Sequence, residues 1–207
     1  MERSTGKPSV PENGKQNEKK ELPVISFEKA EDWRNWLEEN HDQREGIWLR
    51  IYKKGTGHPS VTRGTALDEA LCYGWIDGQA KKQDNESYLQ KFTPRRSRSI
   101  WSKINIEHIE RLEKEGKMRP AGRKAVEAAQ ADGRWEKAYD SPKNMEVPED
   151  FITELSKDEK ALAFFGTLNK TNRYAIAWRL QTAQKPETRE RRKQVMLEMM
   201  ARGEKFH

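Results

Sequence analysis

The sequence predicts an α+β fold, in which a small antiparallel sheet flanked by helices forms the N-terminal half and helices alone form the C-terminal half. Strand-like alternation of apolar residues is confined to residues 46–92, whereas apolar residues at helical spacing dominate after residue 100. Strands segregated from helices in this way are typical of α+β proteins and not of alternating βαβ units. Only 33% of the 207 residues are hydrophobic, but 7 Trp and 5 Tyr provide large apolar surfaces for a core.

The composition divides the chain into a tail and two folded parts. Residues 1–22 contain no aromatic residue and are rich in charged residues, Gly, Pro, Ser, Asn and Gln. Such a segment cannot bury enough apolar surface to offset its ordering entropy, so we expect it to be disordered. An α+β part over residues 23–118 and a helical part over residues 119–207, packed on the first, are expected to follow.

The N-terminal half begins with a predicted helix and strand. Trp33 and Trp36 lie at helical spacing in a helix predicted over residues 28–40, and alternating apolar residues predict a strand over 47–52. The further elements predicted in this half are a helix over 65–73 and strands over 75–83 and 87–92.

The C-terminal half carries the start and stop signals of successive helices. Ser102 is a suitable N-cap for the first helix, and Pro186 stands at the first position of the last one. The predicted helices cover residues 102–115, 121–132, 148–155, 158–168, 170–183 and 186–202.

Several classes of protein and site are excluded or disfavoured. No stretch approaches the apolar length of a transmembrane helix and the N-terminus lacks a secretory signal, so we expect a cytoplasmic protein that does not insert into membranes. A single cysteine, Cys72, excludes an internal disulfide, and its place after Leu71 on a short helix favours a buried structural role. The histidines have no metal-ligand spacing, and we expect neither a metal nor a cofactor.

Residues 91–103, which we call the basic segment, are the strongest local signal. The segment holds five cations and no acidic residue, and therefore contributes +5 to a formal net charge of +6. Its arginines, hydroxyls and predicted helix start suit a phosphate or carboxylate, and Trp101 would offer a stacking face to a base. The alternative is a solvated basic loop whose tryptophan packs in the core. The cations are Lys91, Arg95, Arg96, Arg98 and Lys103.

An aspartate flanked by glycine is the second candidate. Asp77 precedes Gly78 at the start of a predicted strand, where it would serve as a general base or orient an arginine. We expect it to pair with Arg95 or Arg96, because no partner acid, metal ligand or nucleophile stands at a recognisable spacing. A further basic cluster at 185–193 is interpreted as a solvated helix face with a Glu187–Arg191 pair.

Five segments carry a resemblance to a known family. They are GIWLRIYKKGTGHPSVT at 46–62, ALDEALCYGWIDGQ at 66–79, YLQKFTPRRSRSIWSKIN at 88–105, RPAGRKAVEAAQADGRW at 119–135 and NRYAIAWRLQTAQKPETRERR at 172–192. Over about residues 23–207 the chain resembles the YdeI/OmpD-associated family, also labelled bacteriocin-protection proteins.

The resemblance implies a role in protection from bacteriocins or envelope stress, without established catalytic residues or cofactor. It also relates the N-terminal part to YjbR/CyaY-like folds, an antiparallel sheet flanked by helices. YjbR-like proteins suggest nucleic-acid binding. The frataxin-like CyaY proteins bind iron through an acidic helix, which Lys29 and Arg34 interrupt here.

We therefore expect a non-enzymatic, cytoplasmic stress-protection protein that binds nucleic acid or a phosphate or carboxylate ligand. The alternatives are an enzyme or small-ligand protein with a pocket at Asp77, Arg96 and Trp101, and a partner-binding protein whose basic segment is merely solvated. The expected anion-binding residues are Asp77, Arg95, Arg96, Arg98, Trp101, Ser102 and Lys103, with no catalytic residue among them.

Overall fold

A computed structural model describes residues 21–207, and the predicted disordered tail therefore lies outside the described residues except for its last two positions. Four strands and eight helices form within this range. In chain order they are β1 (Val24–Ser26), α1 (Ala30–Asn40), β2 (Ile47–Tyr52), α2 (Arg63–Cys72), β3 (Trp75–Lys82), β4 (Ser87–Pro94), α3 (Lys103–Lys114), α4 (Pro120–Ala131), α5 (Glu149–Leu155), α6 (Glu159–Gly166), α7 (Lys170–Gln181) and α8 (Pro186–Ala201).

The strands form one sheet in the order β1-β2-β4-β3. The pairs β2–β4 and β3–β4 are antiparallel, as predicted. Strand β1 was not predicted, and it pairs parallel to β2 with Val24 opposite Trp48, which makes the sheet mixed. The α+β class is confirmed, with the strands in the N-terminal half and helices alone after residue 103.

Two clusters of buried side chains hold the fold together. The first joins the sheet to α1–α4 and is rich in aromatic rings, with Trp33 and Trp75 fully buried at its centre. The second joins α5–α8 around Phe151. Between them, the ring of Tyr139 lies edge-on to Trp178 at 6.3 Å. The predicted boundary between residues 118 and 119 stays a prediction, and α4 packs on the first cluster.

Helix α4 is held close to the end of α2 by a glycine. The Arg119 amide donates to the carbonyl of Cys72, and Gly122 faces the same carbonyl so closely that any Cβ there would overlap it. Cys72 is buried as predicted, and desolvation raises the pKa of its thiol to about 12. This contact lays α4 beside the chain that leaves β4.

Ser102 caps helix α3, as predicted, since its side chain accepts a hydrogen bond from the Asn105 amide at 3.2 Å. Across residues 21–207, no helix is both long enough and apolar enough to cross a bilayer.

Candidate anion-binding site

Helix α4 and residues 94–97 line a groove of about 350 Å³, which we call the Arg95 groove. Small residues form one wall, namely Gly74 and the alanines of one face of α4, Ala121, Ala125 and Ala128. Four cations and a single carboxylate among the lining residues make the groove positively charged. The polar and charged side chains that line it are His41, Asp42, Tyr73, Arg95, Arg96, Ser97, Lys124 and Arg134.

Arg95 is the residue on which the site depends. Its amide donates to the carbonyl of Gly74 at 2.9 Å, which fixes its backbone beside the start of β3. Its guanidinium lies over the ring of Trp101, 3.5 Å from the ring centre, and Nη1 donates to the carbonyl of Ile100 at 3.2 Å. The other two nitrogens, Nε and Nη2, are buried and have no hydrogen-bond partner among residues 21–207.

The burial of Arg95 costs free energy, because no carboxylate in the described part of the chain pairs with its guanidinium. Desolvation lowers the pKa of this side chain to about 10, and the nearby Arg134 acts in the same direction. Asp77 and Tyr139 oppose the shift through their charges. The guanidinium therefore remains cationic at neutral pH, and two of its buried donor nitrogens have no acceptor among the described residues.

The other cations of the Arg95 groove differ in whether they already have partners. Arg134 is held in place, since Nε donates to both carboxylate oxygens of Asp132 at 2.8 Å and Nη1 to the carbonyl of Ser99 at 2.9 Å. Arg96 is exposed, and neither Arg96 nor Lys124 forms an ion pair with any residue that the structure describes. Both are available to a ligand.

A second cavity, of about 670 Å³, adjoins the first and shares Arg95, Arg96, His41 and Asp42 with it. Lys91 of the basic segment lines this second cavity. Its charge is mixed, because the chain from Asp42 to Gly46 contributes both acids and a cation. Arg95 and Arg96 therefore lie between two cavities, of which the smaller is the more positive.

Trp101 is not the stacking face that the sequence suggested. The ring is 1% exposed and lies against Trp135, with ring centres 4.9 Å apart, as well as under Arg95. A base therefore cannot reach it, and the prediction of an accessible stacking face is wrong. The alternative, a tryptophan packed in the core beneath a basic loop, is what forms.

The remaining predicted residues lie apart from the Arg95 groove or have other partners. Asp77 forms an ion pair with Arg63 at 2.7 Å, instead of the expected pair with Arg95 or Arg96. Lys103 is neutralised by Asp140 at 2.6 Å. Ser102 serves as the cap of α3, while Arg98 is exposed and lines neither cavity. Arg96 lines both of these cavities, and neither Asp77 nor Trp101 lines either of them.

Two cations of the groove were missed from the sequence. Lys124 and Arg134 come from α4 and the turn after it, and they follow the basic segment in the chain. A signal was present, because Ala121, Ala125 and Ala128 recur at positions that share one helical face. A helix face of alanines next to a lysine predicts that another segment of the chain packs closely against the helix. It does not predict which segment that is.

Two family models match the chain. Residues 144–203 match a family described as "Bacteriocin-protection, YdeI or OmpD-Associated". Residues 25–125, which include most of the Arg95 groove, match a domain of unknown function, DUF8412. No curated protein and no solved structure matches the chain.

Proposed function

We propose that this chain, whose residues 144–203 match the family described as "Bacteriocin-protection, YdeI or OmpD-Associated", is a cytoplasmic protection protein that binds an anionic ligand. The proposed site is the Arg95 groove, and the ligand is a small molecule that carries a phosphate or carboxylate group. The protein acts by binding and not by catalysis.

The observation that carries this proposal is the pair of buried guanidinium nitrogens of Arg95, Nε and Nη2, which have no hydrogen-bond partner in the described residues. Almost all buried polar groups in proteins are hydrogen-bonded, and a buried charge without a partner is rarer still. A buried cation of this kind, in a groove that is also lined by the unpaired cations Arg96 and Lys124, has the electrostatics of an anion-binding site.

The free atoms also indicate the shape of the ligand. Nε and Nη2 lie on one edge of the planar guanidinium and form a fork for two oxygen atoms, as in bidentate arginine–carboxylate and arginine–phosphate pairs. Lys124 and Arg96 would add charge at the rim. Because Nε and Nη2 are covered from solvent, a ligand reaches them only after a displacement of the groups that cover them.

The chemistry of the lining residues supports binding over catalysis. The hydroxyl of Tyr73 donates to Glu38, and burial raises the pKa of that hydroxyl to about 12, so it is a poor proton donor at neutral pH. The Nδ1 atom of His41 contacts the carbonyl oxygen of Leu37 and is therefore directed at its own helix.

Calorimetric titration of the full chain with inorganic phosphate and with pyrophosphate tests the proposal. We expect saturable binding to the wild type and at least tenfold weaker binding to Arg95→Met, which keeps an apolar chain over Trp101. Arg98→Gln is the matched control, since Arg98 is an exposed cation of the same segment outside the groove. Equal affinities of the wild type and Arg95→Met would refute the assignment of the site.

Nucleic acid is the competing ligand, and the same variants separate it from a small anion. A nucleic-acid surface would use the exposed cations, and its affinity would fall steeply with salt. The Arg95 groove is not the binding site if a single-stranded oligonucleotide binds more tightly than pyrophosphate and if Arg98→Gln weakens oligonucleotide binding as much as Arg95→Met does. We expect the opposite order, with Arg98→Gln close to the wild type.

A further inference from the structure

The four-helix C-terminal part contains a second positively charged pocket, which shares no residue with the Arg95 groove. It has a volume of about 290 Å³ and lies between α7, α8 and the C-terminal residues. Three arginines line it, and no carboxylate does. We call it the arginine pocket, and its principal lining residues are Trp178, Arg179, Arg191, Arg192, Val195 and Phe206.

Two of the arginines are held in place by backbone carbonyls. The Nη1 atom of Arg192 donates to the carbonyl of Arg179 at 2.7 Å, and the Nη1 atom of Arg179 donates to the carbonyl of Ala175 at 3.0 Å. The guanidinium of Arg179 also lies over the ring of Phe206, 3.9 Å from its centre. These contacts fix the two side chains but neutralise neither charge, since no ion pair to either forms within residues 21–207.

Arg191 has the greatest freedom of the three. Arg191 is exposed, and no described residue forms an ion pair with it. The expected pair with Glu187 is therefore absent. Its neighbours on α8 are different: Arg189 pairs with Asp150 at 2.7 Å and Lys193 with Glu190 at 2.9 Å. The unpaired positive charges of α8, Arg191 and Arg192, therefore both lie at the arginine pocket.

The wall of the pocket is apolar and partly open to solvent. Val195 is 50% exposed and provides aliphatic surface beside the three arginines. Trp178 and Phe206 are half-buried and present ring surface to the same pocket. The volume of about 290 Å³, close to the lower limit of about 300 Å³ for small-molecule sites, fits a small ligand.

We infer that the arginine pocket binds a small organic anion with an aromatic body. Its carboxylate or phosphate group would be held by Arg191 and the remaining donors of Arg179 and Arg192, and its ring would lie on Val195, Trp178 and Phe206. An anion without an apolar body would lack the contact with the aromatic and aliphatic wall. A neutral aromatic molecule would lack the contact with the arginines.

The test is a titration of the isotope-labelled full chain with 2-naphthoate, followed by backbone amide NMR. We expect saturable shifts confined to α7, α8 and residues near Phe206. Neutral 2-naphthylmethanol and inorganic phosphate should each cause much weaker shifts in these elements. Arg191→Gln should weaken naphthoate binding roughly fivefold to tenfold, as expected for the loss of one charge-assisted hydrogen bond.

Two further variants complete the design. Val195→Asp replaces an exposed apolar side chain by a repelling carboxylate and should abolish the shifts without unfolding the helix. Lys170→Gln removes an exposed, unpaired cation of α7 that does not line the pocket, and should leave the affinity unchanged. The inference fails if no saturable shift occurs at roughly millimolar naphthoate, if Arg191→Gln and Val195→Asp bind like the wild type, or if the neutral analogue binds equally well.

Discussion

The guanidinium of Arg95 lies 3.5 Å from the centre of the buried ring of Trp101, and each of these side chains keeps buried nitrogen without a hydrogen-bond partner in the described residues. Stacking on an aromatic ring recovers part of the cost of burying the cation. It also leaves one edge of the guanidinium unused, so the arrangement holds a charge in place without neutralising it.

Replacement of Arg95 by methionine should therefore stabilise the unliganded protein. The variant removes an unpaired buried charge, but it also loses one cation–π contact and one hydrogen bond to Ile100. We expect the free energy of unfolding to rise by about 1 kcal/mol. Urea unfolding followed by tryptophan fluorescence measures it, because most of the 7 tryptophans lie in the first core. A loss of stability of about 1 kcal/mol or more relative to Arg98→Met would mean that Arg95 has a structural role instead.

Two helical glycines should respond to alanine in opposite directions. Gly122→Ala places a Cβ against the carbonyl of Cys72, and we expect a destabilisation of about 2–4 kcal/mol, because α4 must move away from α2. Gly166→Ala meets no atom within 4 Å at the end of α6 and should gain a few tenths of a kcal/mol to about 1 kcal/mol. The measurement is the melting temperature of each variant relative to that of the wild type. Equal behaviour of the two variants would contradict the described close packing of α4 on α2.

The ion pair at the start of α5 should make stability depend on pH in the acidic range. Arg189 donates to both oxygens of Asp150 at 2.7 Å, and this contact lowers the pKa of the carboxyl group to about 2. Since the folded-state pKa lies below the ordinary value of 3.8, the stabilisation is present above pH 4 and is lost as the pH falls towards 2. Asp150 is 44% exposed, so solvent screening limits the contribution to about 1 kcal/mol or less.

The measurement is the difference in melting temperature between the wild type and Asp150→Asn at pH 7 and near pH 2. We expect the variant to melt lower at pH 7 and the difference to shrink at the acidic pH. Glu149→Gln is the control, because Glu149 occupies the same first turn without an ion pair in the described residues. A difference that is constant with pH would show that the pair contributes nothing through ionisation.

Much of the fold could be predicted from local patterns, because most elements carry their own start and stop residues. These signals are local to the elements they mark: Ser102 directly precedes α3, Pro186 is the first residue of α8, and the apolar alternation lies within β2 itself. Strand β1 escaped prediction because it has three residues, of which Val24 is 53% exposed, so no apolar alternation marks it. Its parallel pairing with β2 depends on contacts made more than twenty residues away.

The candidate site was predictable only in part. The basic segment drew attention to Arg95 and Arg96, but a run of cations ordinarily indicates an exposed loop, and nothing local predicts that the Arg95 guanidinium is buried over Trp101. Trp101 is itself packed against Trp135, which lies 34 residues further along the chain. The pairing of Asp77 with Arg63 was missed for the same reason, since α2 brings Arg63 to the start of β3 only in the folded chain.

The most direct measurement is the NMR signal of the Arg95 Nε–H group during a titration of the full chain with pyrophosphate. The assignment follows from the single signal that Arg95→Met removes. We predict that this proton moves downfield and saturates together with the amides of residues 95–98 and of α4, because Nε acquires the hydrogen-bond acceptor that it lacks in the free protein. If the Arg95 signal stays in place while only the exposed Arg96 and Arg98 respond, the Arg95 groove does not bind the anion and the proposed function is contradicted.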